Sequence, residues 1–236
     1  MSNVPDPTVQ ALAHIADRML RDMGDHSIAQ RMQGEVSRLR DSAATLDDLR
    51  KTRSPYDTPS AHVMKIGKAS KKFDSEITAM IQRATDLYRA GTRDIEARIA
   101  AKVNLKQNEY AQEVRARFFG MDGKARAAFI KDMVDNNDGP LLAAIVEASP
   151  TLSGITAEQS AAYKKMILSR HAGAEIDEQA RLDEVLDAVS TASRSAGNFA
   201  KGLTDPRQLA RIEREAAEAD AANEAFNQAM QSESGI

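Results

Sequence analysis

Residues 205–230 read DPRQLARIEREAAEADAANEAFNQAM, and their spacing decides how this chain folds. Leu209, Ile212, Ala216, Ala219, Asn223, Phe226 and Met230 follow one another at steps of 3, 4, 3, 4, 3 and 4. That is a heptad seam, with a cap acceptor at Asp205 and a proline at the first helical position, Pro206. Such a seam faces another helix, in this chain or in another. Leu209 and Ile212 anchor it, Ala216 and Ala219 permit close approach, and Asn223 fixes register at a cost in stability. Glu213, Glu215 and Asp220 flank it, so two copies laid parallel would repel. A basic or neutral partner face fits better.

Outward from that helix the same style continues. Residues 190–202 are small and polar and read as a flexible connection, so 191–236 form a connection plus the heptad helix. Upstream, 120–190 reads as a bundle of short helices. Helices are expected at 123–135 and 141–148, with a loop at 149–154. Another begins at Thr156, whose partner Gln159 completes a capping box, and ends near Ala172-Gly173. Ile176, Leu182, Val185, Leu186 and Val189 mark one more. Residues 70–119 read as a long helix with a near-heptad stripe from Phe73 to Ile95, and with Gly91 or Asn104 as candidate breaks. Ser54-Pro55 and Thr58-Pro59 interrupt the pattern twice, giving a basic linker over 54–69. Residues 1–53 read as two helices joined at Gly24-Asp25, an antiparallel hairpin or one kinked rod. Leu12, Ile15, Met19 and Met23 form the apolar face of the first, and Ile28, Met32, Val36, Leu39, Ala43, Leu46 and Leu49 lie on one side of the second. The spacing predicts an all-α chain: an elongated multi-helix bundle with coiled-coil-like segments.

Composition agrees. Forty of 236 residues are alanine, against 6 Phe, 4 Tyr and no Trp, so helices form readily and pack thinly. The absence of cysteine excludes disulfides, thiolate catalysis and cysteine-ligated metals. Residues 1–7 have neither the basic nor the apolar region of a secretory signal. The run at 140–146 is far too short to span a membrane. A virion or the host cytoplasm is the expected setting.

No cofactor, metal or catalytic constellation is expected. His14, His26, His62 and His171 stand apart from one another without a second ligand at helical spacing. Gly120–Gly123 and Asn136–Pro140 lack the acidic spacing of a calcium loop and read as helix-ending turns. The net charge of −3 is unevenly spread. Residues 50–72 carry Arg50, Lys51, Arg53, Lys65, Lys68, Lys71 and Lys72 against Asp57. From 205 onward, three arginines face seven acids. Lys65, Lys68, Lys71 and Lys72 are the candidate phosphate ligands, for nucleic acid or an anionic surface; a solvated linker is the plainer reading.

The stretch from Phe119-Gly-Met-Asp-Gly123 through Leu141-Leu142-Ala143-Ala144-Ile145-Val146 to Arg170-His171 resembles a segment of uncharacterised helical proteins of tailed bacteriophages and prophages. The resemblance covers about a third of the chain and assigns no residue a role. It implies a virion or assembly component. The expectation is therefore a non-enzymatic structural protein in a multi-copy assembly with other protein subunits, as a neck, tail or internal component. The rival expectation is a nucleic-acid-binding accessory protein using residues 50–72.

Overall fold

Two Asp-Pro pairs start helices here, for the same reason each time. Asp6 Oδ1 accepts the Thr8 N–H at 2.8 Å, and Asp205 Oδ1 accepts the Arg207 N–H at 2.9 Å. The proline after each brings a φ already suited to the first turn. The computed structural model describes residues 6–23, 27–106 and 109–233. Among them it has ten helices and no strand: α1 (Pro7–Met23), α2 (Ser27–Lys51), α3 (Pro59–Val103), α4 (Ala111–Phe119), α5 (Gly123–Asp135), α6 (Gly139–Val146), α7 (Pro150–Ser153), α8 (Ala157–His171), α9 (Gly173–Gly202) and α10 (Pro206–Glu233). The chain is all-α.

By contacts it divides into two compact units, Met1–Leu87 with Val185–Ile236, and Tyr88–Glu184. In the first, α1 and α2 form an antiparallel hairpin. The Asp6 N–H at the start of α1 donates to Asp47 Oδ2 near the end of α2, at 3.1 Å. The junction at Gly24-Asp25, His26 and the Met23 side chain lie outside the described residues. Leu12, Ala16 and Met19 are buried against Met32, Val36, Leu39 and Ala43, whereas Ile15, Ile28 and Leu49 are only half-buried.

Three expectations are corrected. The basic segment is not a linker over 54–69: the second proline begins α3 instead of interrupting it. Thr58 Oγ1 accepts the Ala61 N–H at 3.1 Å, and Pro59 occupies the first helical position, where a missing N–H costs nothing. The long helix does not run from 70 to 119. It stops at Val103, because Asn104 takes a left-handed φ of 45°, and Gly91 passes through as a buried helical residue. The stretch 190–202 is not a flexible connection but the last turns of α9. Its alanines were the misleading signal: Ala192, Ala196 and Ala200 are buried with Phe199, so small residues mark a close-packed face. Phe199 meets Phe73 of α3 edge-on at 6.3 Å, and Ser70 Oγ donates to the Ala200 carbonyl at 3.0 Å.

In the second unit α4–α8 surround Phe118, which is fully buried with Ile130, Leu142, Ile145 and Ile167. The expected turns act twice. Asp122 and Asp138 each accept an N–H of the following helix, from Ala125 at 2.8 Å and Leu141 at 3.2 Å. The capping box at Thr156 and Gln159 is formed, and the loop at 149–154 contains the single turn α7. Gly139 lies against the end of α3, where a Cβ would sit 1.7 Å from the Val103 carbonyl oxygen. Asn137 Nδ2 donates to the Lys102 carbonyl alongside, at 2.8 Å. Among the described residues no helix is long and apolar enough to cross a membrane.

Candidate interaction surface

The heptad helix is divided by its own packing. Its first turns dock within the chain: Ile212 is 5% exposed, and Leu209 is half-buried over Gly67 of α3. A Cβ at Gly67 would stand 2.7 Å from the Leu209 methyls, so the missing side chain makes the seat. Glu213 closes the contact by accepting from Lys71 Nζ at 2.9 Å. Ala216 is half-buried. From residue 217 to 230 every residue is exposed. Ala219, Asn223, Phe226 and Met230 thus face outward, with Phe226 64% and Met230 50% exposed. The structure seats Leu209 on α3, buries Ile212, half-buries Ala216 and leaves the rest of the seam exposed through Met230.

The basic segment is similarly divided. Lys65 Nζ lies 2.7 and 2.6 Å from the two Asp57 carboxylate oxygens. Arg50 reaches Asp6 and Asp47, Lys51 reaches Asp47, and Lys71 is held by Glu213. Lys68 and Lys72 have no ion-pair partner among the described residues. Helical geometry places Lys65, Lys68 and Lys72 within one narrow arc, at i, i+3 and i+7. Lys72 and Glu76, with Ser42 and Thr45, border a cavity of about 370 Å³ between α2 and α3 that Leu46, Leu49, Ala69 and Phe73 also line.

Asp47, only 2% exposed, is the electrostatic centre of this end of the unit. Burial works to raise its pKa. The Lys51 ammonium, the Asp6 N–H and the Arg50 charge outweigh that and hold the carboxyl below its ordinary value. Glu35 plays a parallel part, joining Arg38 of its own helix to Arg83 of α3.

Spacing arguments missed a polar ladder between α3 and α9 in the second unit. Tyr88 donates to Asp183 at 2.8 Å, Arg98 pairs with Glu178 at 2.6 Å, and Lys102 pairs with the buried Glu175 at 2.7 Å. The Lys102 bond keeps the Glu175 carboxyl below its usual value. The only hint was sequence charge: bases every few residues on one helix and acids on the other. Each of the three described histidines stands in its own surroundings. His62 Nε2 lies 3.4 Å from the Arg50 carbonyl, His171 Nε2 bonds the Val134 carbonyl, and His14 is exposed. Among the described residues no three His, Cys, Asp or Glu side chains gather as a metal site.

Compared with protein-family models, curated proteins and solved structures, the chain matches none of them.

Proposed function

We propose that this chain is a non-enzymatic assembly protein working in multiple copies through helix–helix contacts. In this reading its setting is a phage particle, as a neck, tail or internal component. The observation that supports the contact is α10 itself: a seam seated on its own unit through Ala216 and then exposed for fourteen further residues, with Phe226 outward. Large apolar side chains on a solvated helix cost solubility unless a partner covers them. The phage setting rests on the resemblance of residues 119–171. Particles grown with Phe226→Asp test both: wild-type protein copurifies with finished particles at fixed copy number, and the variant is depleted from them. Equal incorporation of the variant refutes the contact, and absence of the wild type from particles refutes the setting.

A second reading, phosphate binding by Lys65, Lys68, Lys71 and Lys72, is favoured by the unpaired Lys68 and Lys72. Duplex affinity would then fall steeply with salt, as condensed counterions are released. Replacing all four lysines with Gln would abolish it. Salt-insensitive or absent binding by the wild type removes this reading.

A further inference from the structure

Tyr56 is 95% exposed, at the tip of a turn that its own sequence fixes. Ser54 opens the turn, Pro55 supplies the φ of its second position, and the Asp57 N–H closes it on the Ser54 carbonyl at 3.0 Å. The ring buries almost nothing, so it contributes little to the fold. Asp57, the next residue, reaches Lys65 Nζ at 2.7 and 2.6 Å, which sets the turn at the head of the lysine stripe on α3. Further along, Lys68 and Lys72 are exposed, as is Arg53 just before the turn. None of those three has an ion-pair partner among the described residues. From Lys65 to Lys72 the stripe runs about 10 Å, at 1.5 Å per residue. Glu76, one turn beyond, accepts from Ser42 Oγ of α2 at 3.1 Å and ends it. We infer that this surface binds single-stranded nucleic acid, a base stacking on Tyr56 while Arg53, Lys68 and Lys72 neutralise phosphates of the same strand. The inference rests on the phosphate-binding reading above and names its substrate class.

The ring selects the ligand. A duplex keeps its base faces stacked inside, whereas a single strand offers a π-face at every base. An acidic polypeptide matches the lysines equally well but leaves Tyr56 without a planar partner. Charge sets the strength. Arg50, Lys51, Lys65 and Lys71 are already held by carboxylates, so the strand has about three cations to meet. At about −0.7 per phosphate, the logarithmic salt slope is then roughly −2, and stacking supplies the rest of the affinity. Phe119, 57% exposed, is a poorer platform. The Arg126 guanidinium already lies 5.7 Å from its ring, and that arginine is spent on the Phe118 and Phe119 carbonyls.

Fluorescence anisotropy of a labelled oligothymidylate, and of a hairpin duplex with the same number of phosphates, tests this. Wild type binds the single strand more tightly than the duplex, with a salt slope of roughly −2. Tyr56→Ala weakens single-strand binding about tenfold and leaves duplex affinity unchanged. Lys68→Gln/Lys72→Gln makes the slope shallower by about 1.4. Tyr56→Trp keeps the affinity and, because the chain has no other tryptophan, reports stacking directly as quenched emission when unlabelled strand is added. All these changes lie on exposed positions, and unchanged melting temperatures verify that each variant is folded. Equal affinity for strand and duplex overturns the inference, as does a Tyr56→Ala that binds like wild type or a Tyr56→Trp that is not quenched. Displacement of the strand by polyglutamate at equal charge overturns it too. Those outcomes leave the phosphate-binding reading standing as long as wild-type binding is salt-sensitive. If wild type binds neither polynucleotide, both fall.

Discussion

Two residues test the fold at the finest scale. Gly139 faces a backbone carbonyl rather than a flexible side chain, so a methyl there has nothing to push aside. Gly139→Ala is expected to cost about 1–3 kcal/mol, the usual range for overpacking, read as a lower urea midpoint with unchanged slope. Gly67→Ala is milder, because the obstructing atoms are the ends of the Leu209 side chain. Asp47 gives a pH test. Its folded pKa lies below the unfolded value, so its contribution is fully present above the unfolded pKa, roughly 3.9. That contribution is lost as pH falls through the folded pKa. Asp47→Asn should lower the melting temperature at pH 7 and narrow the gap between pH 7 and pH 3. An unchanged gap would show that other carboxylates govern acid unfolding.

The helices themselves test the division of α10. Leu209→Asp/Ile212→Asp places two charges in a contact that is buried within the chain, and should lower the melting temperature markedly. Phe226→Asp should leave it unchanged, since the ring touches solvent. Equal destabilisation by the two would mean the whole seam packs internally. Hydrogen exchange gives the same division another readout: amides after Ala216 exchange early, those of 206–216 late. Much of this level was legible in sequence. Heptad spacing, Asp-Pro starts and the Thr156–Gln159 box gave most helices, because each is a local signal with a local cause. What was not legible depended on distant atoms. Thr58-Pro59 reads equally as a break or as a helix start, and Ser190–Gly202 reads as a connection until Phe73 packs against it. The seam's periodicity could not say where its own cover ends; Gly67, 142 residues before Leu209, sets its seat. Among the lysines, charge counts could not separate Lys65 and Lys71, already paired, from Lys68 and Lys72.

At the scale of the whole molecule, charge is unevenly spread, with seven bases against one acid over 50–72 and seven acids against three arginines from 205 onward, and one ion pair, Lys71–Glu213, joins the two regions. The charge distribution of α10 has one more outcome, in a digestion tube. Residues 215–236 contain neither Lys nor Arg. Trypsin therefore has no bond to cut along the fully exposed stretch, however accessible it is. It severs the stretch only at Arg214, where the helix is still seated. The released peptide from Glu215 onward carries Asp220, Glu224 and Phe226 together on one fragment. A protease that cuts after Glu would instead nick the exposed turns at Glu218 and Glu224 while leaving the seated ones. The pair of enzymes thus separates docked from undocked helix without any mutation.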